Sequence, residues 1–233
     1  MSGIYNFVRF DRNPSAVSRA GVRVAHLAIG YALLLTAIWT TRPAQLWWSL
    51  AAAVWIVFSV VRMGRSAREL GLRFSNFRPS AWIIPASAAL ALAMSAVALA
   101  LGTFHPLFGL LPQIPHSLTY AFWAFQQEFI LQCFFFLELE ALLGTRRAVV
   151  AAAILFATAH LPNPVLTAAT LVMALFFAAA FARYRNLYAL AFAHAILGLA
   201  LAVSVPDNIH RHMRVGIGYL HYRNAPVAAP SPR

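Results

Sequence analysis

Seven runs of apolar residues follow one another with only short polar breaks, over about 24–41, 45–61, 81–103, 117–139, 147–161, 164–182 and 187–205. A helix needs about 20 mostly apolar residues to cross a bilayer, and fewer where the protein thins it. The spacing predicts an all-α, polytopic transmembrane bundle of about seven spans, or eight if the tail adds an interfacial helix. Only 10% of the 233 residues are charged, against about a quarter in a soluble domain. A separate soluble domain of any size is thereby excluded. The fifth run is short and reaches Pro162, so its helix is expected to stop near His160. The second run follows a tight turn at Arg42-Pro43.

The formal charge of +12 raises the question of nucleic acid, and the placement of the charges answers it. Every basic side chain is an arginine, and thirteen of the 18 fall on one side if the N-terminus is cytoplasmic. That asymmetry is the orientation signal of a membrane protein, not a stripe tracking a phosphate backbone. No nucleic-acid partner is expected; the lipid bilayer is. The start, MSGIYNFVRFDRNPSAVSRAGVRV, is polar and basic, so the first apolar run reads as a retained anchor. In the tail, GYLHY and MRVGIGYL mix aromatics with arginines, as interfacial segments do. The end, NAPVAAPSPR, reads as disordered. The one cysteine, Cys133, excludes an internal disulfide and reads as a small core residue.

Six acids exist: Asp11, Glu69, Glu128, Glu138, Glu140 and Asp207. Glu138 and Glu140 fall near the cytoplasmic end of the fourth run, close to Arg146 and Arg147, and read as interfacial charges. Glu128, in FQQEFILQ, lies roughly 16–20 Å from each end of its run at 1.5 Å per residue, near the midplane. A charge there costs on the order of 3 kcal/mol. The carboxyl must hold a proton or meet donors beside a wet cavity. Gln132 shares its helix face at i+4, and Gln127 is its neighbour about 100° round. Histidines stand at depth on two further runs: His160, four residues after Phe156, and His194, four before Gly198. One such residue alone is ordinary helix–helix glue. A glutamate and two histidines on three consecutive runs form a catalytic or metal-like set.

The order Glu helix, then FxxxH, then HxxxN on the last core helix resembles the CAAX protease and bacteriocin-processing (CPBP, or Abi) family. That family includes type II CAAX prenyl endopeptidases and intramembrane proteases of the glutamic type. The resemblance covers about residues 115–205. The family's EExxxR motif stands here as Gln127, Glu128 and Gln132, a variant QExxxQ; FxxxH is intact as Phe156 and His160; HxxxN keeps His194 but has Gly198. The resemblance implies a water-mediated peptide hydrolysis within the membrane, on a membrane-embedded or membrane-anchored substrate. Carried over, Glu128 is the acid available as base, His160 orients or shares the proton, and His194 donates to the oxyanion. Gln127, Gln132 or Asn163 are candidates to replace the missing asparagine donor. The chain then divides into a basic cytoplasmic segment 1–23, N-terminal transmembrane helices 24–116, a catalytic core 117–205 and a tail 206–233. A bacterial inner membrane is the implied location.

Two other readings remain beside the endopeptidase. One is a non-catalytic relative that binds membrane substrates or sorting tails, suggested by the altered motifs. The other is an ion-coupled transporter, since intramembrane Glu and His also serve as relays; the two-half symmetry such a fold shows is not visible in this sequence. No cofactor is called for. Glu128, His160 and His194 would supply three metal ligands, the number a catalytic zinc uses, but no HExxH presets two histidines on one helix.

Overall fold

The computed structural model describes residues 14–105 and 113–222. Most of the basic segment and the Pro/Ala-rich end lie outside the described residues. What is described is all-α. Helices α1 (Pro14–Ile38) and α2 (Ala44–Arg62) pair as a hairpin, and a loop with the short α3 (Phe77–Ser80) leads to α4 (Ile83–Ala100). Then come α5 (Gln113–Glu128), a π-helical stretch Phe129–Phe136, α6 (Leu137–Leu143), α7 (Thr145–Thr158), α8 (Pro164–Tyr184) and α9 (Leu187–Ser204). Short helices α10 (Asp207–His210) and α11 (Gly216–Leu220) follow.

Five helical stretches are long and apolar enough to cross a membrane: Arg19–Ile38, Ala44–Arg62, Ile83–Ala100, Pro164–Tyr184 and Leu187–Ser204. The protein is an integral membrane protein. The fifth expected span differs. Helix α7 has 14 residues, about 21 Å at 1.5 Å per residue, short of the ~30 Å hydrocarbon layer. Pro162 and Pro164 end it early, and His160 sits in the turn that follows. The fourth expected span lies inside a helical path from Gln113 to Leu143, interrupted by the π stretch.

Helix α9 is the centre of the bundle. In it 61% of the residues are buried, against 17% in the membrane-length parts of α1 and α4. It packs against α4 and α5. Its sequence, LYALAFAHAILGLALAVS, alternates leucine with alanine, and small residues let neighbouring helices come close where lipid gives no hydrophobic drive. Asparagines start both core helices. Asn163 Oδ1 accepts from Leu166 N–H at 3.1 Å, with Pro164 in the first turn of α8, and Asn186 Oδ1 accepts from Ala189 N–H at 2.9 Å. Each satisfies a backbone donor that the helix itself leaves open. Around α9, Phe134, Phe136, Phe177 and Phe181 are fully buried.

The arginine-rich end is cross-braced. Glu138, 2% exposed, pairs with Arg23 on α1. Glu140 takes both its oxygens to Arg185 Nη2, at 2.8 and 2.6 Å, and accepts from Thr145. Their partners are therefore not the adjacent Arg146 and Arg147. Packing of α6 against α1 and the α8–α9 turn brings in distant arginines instead. In the loop after α2, the Ser66 backbone N–H and the Arg65 guanidinium hold the Glu69 carboxyl down at about 2. Asn76 and Asn186 tie that loop to the α8–α9 turn through the Arg185 and Arg73 carbonyls. Cys133 is buried as expected, its thiol donating to Leu70 O at 3.3 Å.

The tail does fold back. Gly216, at φ +54°, lies so close to Ile38 that a Cβ would strike that residue's side chain and carbonyl. Its N–H donates to Leu161 O at 2.9 Å. The tail thus covers the end of the bundle where α7 turns into α8.

Candidate active site

The π stretch begins at the residue after Glu128. Its C-terminal closure is the Leu137 N–H donating to Gln132 O, an i→i+5 bond. Such bulges recur at functional sites because one wide turn re-aims the side chains around it. All six residues from Leu131 to Phe136 are buried, so the chain here is enclosed on every side.

Glu128 is 0% exposed, and its two oxygens have different partners. Oε1 lies 2.8 Å from His194 Nδ1 of α9, and Oε2 accepts from Gln132 Nε2 at 3.0 Å. A carboxylate with a donor on each oxygen is a stable buried arrangement; a lone one is not. The remaining lone pairs stay available to a third group, since each oxygen can accept twice. His194 is 4% exposed and is walled by Phe156 (ring centroids 6.1 Å, edge-on) and Phe177 (6.1 Å). Gln132 Oε1 is buried without a hydrogen-bond partner among the described residues. An unmatched buried acceptor is costly, and this one stands beside Glu128.

His160 is half-buried and does not hydrogen-bond to Glu128 or His194 in this structure. Its Nδ1 lies 2.7 Å from Phe156 O. A carbonyl only accepts, so Nδ1 carries the hydrogen, and in the neutral ring Nε2 keeps its lone pair. Phe156 links the two histidines: its ring centroid lies 4.8 Å from that of His160 and 6.1 Å from that of His194. The FxxxH spacing therefore does two things. The backbone of Phe156 fixes the His160 tautomer, and its ring fills the space beside His194.

The other sequence candidates are placed differently. Asn163 is fully buried, but Nδ2 donates to His210 O (2.8 Å) and Arg214 O (3.0 Å), and Oδ1 caps α8. Both its N–H donors are taken by backbone, so it has none left for an oxyanion. Gln127 is half-buried beside Glu128.

One residue escaped the sequence reading. Gly198 is one turn beyond His194, where the HxxxN pattern has its asparagine. A Cβ built on Gly198 would meet Tyr120 of α5, with the ring carbon Cζ at 2.8 Å, Cε1 at 2.9 Å and the hydroxyl nearer still. The phenol occupies the space that a side chain at 198 would need. The signal was present as a lone hydroxyl-bearing ring in SLTYAFWA, eight residues before Glu128.

A separate cavity of about 210 Å³ opens at the arginine-rich end, lined by Arg65, Arg68, Glu69, Leu137, Glu140 and Arg185. Glu128 is not among its walls.

Residues 115–200 match the sequence family described as Type II CAAX prenyl endopeptidase Rce1-like. They form an Rce1-like domain. Neither a curated protein nor a solved structure matches the chain. The Rce1-like domain starts in α5 and ends in α9, and it holds Tyr120, Glu128, His160, His194 and Gly198. Helices α1 to α4 before it and the cap after it lie outside the match.

Proposed function

We propose that the protein is an intramembrane endopeptidase that hydrolyses a peptide bond of a membrane-associated protein. The observation that carries this reading is the buried pair of Glu128 and His194, 2.8 Å apart and delivered by two different helices. A glutamate and histidine paired at that depth need a reason beyond helix association, and the Rce1-like match over the same residues supplies a protease precedent. The path from Gln113 to Leu143 and the short α7 complete the bundle to about seven crossings in this reading. The arginine asymmetry supports a cytoplasmic N-terminus, and the family resemblance supports a bacterial inner membrane as the location.

The chemistry follows from the donors and acceptors. Glu128 takes a proton from water, and the hydroxyl oxygen bonds to the substrate carbonyl carbon. His160, with its lone pair on Nε2, orients that water. The oxyanion is stabilised by His194, held to Glu128 through Nδ1, and by the Tyr120 hydroxyl, which replaces the missing asparagine. When the C–N bond breaks, the proton held by Glu128 passes to the leaving amine. Gln132 Oε1 and Gln127 accept or donate along the substrate backbone, which must be unwound locally because a closed helix hides its carbonyls.

Comparing the N-termini of membrane proteins from cells expressing the wild-type chain or Glu128→Ala tests this. New N-termini that appear with the wild type and vanish in the variant support the reading. Identical sets in both discard it. A non-catalytic binder is the second reading, favoured by Gln127 and Gly198 standing at motif positions. It expects the cellular phenotype to survive Glu128→Gln.

A further inference from the structure

Four side chains outside the Rce1-like match converge at the end of the bundle covered by the tail. His105 comes from the segment after α4; Asp207, His210 and His212 come from the Asp-x-x-His-x-His run after α9. His105 Nε2 lies 3.7 Å from Asp207 Oδ1, His210 Nδ1 lies 3.8 Å from it and His212 Nδ1 3.1 Å. The candidate ligand atoms of His105, Asp207 and His210 all fall within 4.8 Å of one another.

The protonation pattern is the informative part. His105 Nδ1 faces Thr103 O at 3.1 Å, so it carries the hydrogen, and in the neutral ring Nε2 is a bare lone pair. His210 Nε2 faces Ala202 O at 3.3 Å, so it carries the hydrogen and Nδ1 is the lone pair. Each ring thus donates its far N–H to a backbone carbonyl and turns an acceptor toward the carboxylate. That is how metal-binding histidines are oriented. His105 Nε2 and Asp207 Oδ1 are both buried atoms with no hydrogen-bond partner among the described residues. Two acceptors facing each other out of water repel unless a proton or a metal ion lies between them. Tetrahedral zinc with ligands at about 2.0–2.1 Å sets its ligand atoms roughly 3.3–3.4 Å apart, so the gaps from His105 and His210 to Asp207 need to close by about 0.4 Å and the gap between the two rings by at most about 1.4 Å, while His212 joins by a turn of its exposed side chain. The backbone there is unusual too. Arg211, His212 and Met213 have φ of 51°, 51° and 58°, three successive non-glycine residues in the left-handed region, a conformation that persists only where surroundings impose it.

We infer that His105 Nε2, Asp207 Oδ1, His210 Nδ1 and His212 Nδ1 form a binding site for a divalent transition-metal ion of the zinc type. Imidazole and carboxylate donors suit Zn²⁺ or Co²⁺ rather than Ca²⁺ or Mg²⁺. His210 exchanges a long 3.2 Å bond from Met213 N–H for the metal. The ion clamps the tail to the end of α4, reinforcing the His105 N–H bond to Val203 O and the Thr103 hydroxyl bond to Ser204 O. The tail in turn holds Asn163 and Leu161 beside His160. The site stands independently of the peptidase reading.

The test uses the full chain, free of any purification tag, stripped with chelator in detergent micelles and titrated with Co²⁺. Expected are visible ligand-field bands of four-coordinate cobalt that saturate at one equivalent and bleach on adding Zn²⁺. His105→Ala and Asp207→Asn weaken uptake by roughly 100-fold, and His212→Ala by roughly tenfold. His212 is half-exposed, so its variant serves if the others do not fold. The inference is overturned if the wild type shows no saturable uptake, or if His105→Ala and His212→Ala bind as tightly as the wild type.

Discussion

Gly198→Ala probes the helix contact between α5 and α9 at the position where Gly198 replaces the asparagine of HxxxN. The added methyl would meet Tyr120 Cζ at 2.8 Å and Cε1 at 2.9 Å, with the hydroxyl closer. Carbon atoms prefer about 3.5–4.0 Å, so the ring carbons must retreat by roughly 0.6–1.2 Å between two packed helices, and the hydroxyl by more. Overpacking of this kind costs about 1–3 kcal/mol. At about 2–4 °C per kcal/mol for a chain of this size, the apparent melting midpoint falls by about 2–12 °C. Cys133 gives the readout. It is the single cysteine and is 0% exposed, so a thiol-reactive fluorophore reports unfolding at a fixed heating rate. Tyr120→Phe removes the nearest atom of the clash but leaves the ring. The double variant should therefore recover part of the loss, a coupling of about 0.5–1.5 kcal/mol. A Gly198→Ala protein that melts with the wild type, or a double variant that melts with Gly198→Ala, would show that Tyr120 does not fill this space.

Three further outcomes follow from the same geometry. Tyr120→Phe alone should leave the melting midpoint nearly unchanged and reduce turnover of a cleaved substrate by about 10²-fold, the loss expected for one oxyanion donor. Asn163→Ala removes a helix cap and two bonds to the tail carbonyls; it should destabilise by about 2–4 kcal/mol and speed amide exchange across 207–220. Arg23→Ala leaves Glu138 buried without its partner and should cost about 2–4 kcal/mol in the thiol-protection assay, whereas Glu138→Gln with Arg23→Ala should cost less.

The helices were legible because apolar runs of membrane length have few alternatives, and the prolines at 162 and 164 marked the α7–α8 break. Spans four and five read less well. In Phe129–Phe136 every residue but Gln132 and Cys133 is a large hydrophobe, so periodicity carries no signal and the π turn is invisible in the sequence. The run 147–161 includes Ala159–Leu161, apolar enough to count but held in a turn. The Glu128–Gln132 bond follows from i, i+4 spacing and could be read directly. The approach of His194 to Glu128 needs α9 at the centre, which depth along the helix suggests but does not fix. The partners of Glu138 and Glu140, Arg23 and Arg185, were not readable because they come from elements distant in the chain. Tyr120 was missed because its role depends on an absent side chain, and an empty place has no letter. The histidines of the tail attract notice only once His105 is brought beside them.

The most direct test of the central claim is turnover by purified protein in lipid vesicles, using one substrate found by N-terminal profiling, with Glu128→Gln as the variant. The amide keeps the size of the carboxylate but replaces one of its two acceptor oxygens with a donor, and it cannot take a proton from water. Expected is a fall in rate of about 10³-fold or more at unchanged Cys133 protection. A Glu128→Gln protein that cleaves within about tenfold of the wild-type rate would contradict the assignment of this carboxylate as the base.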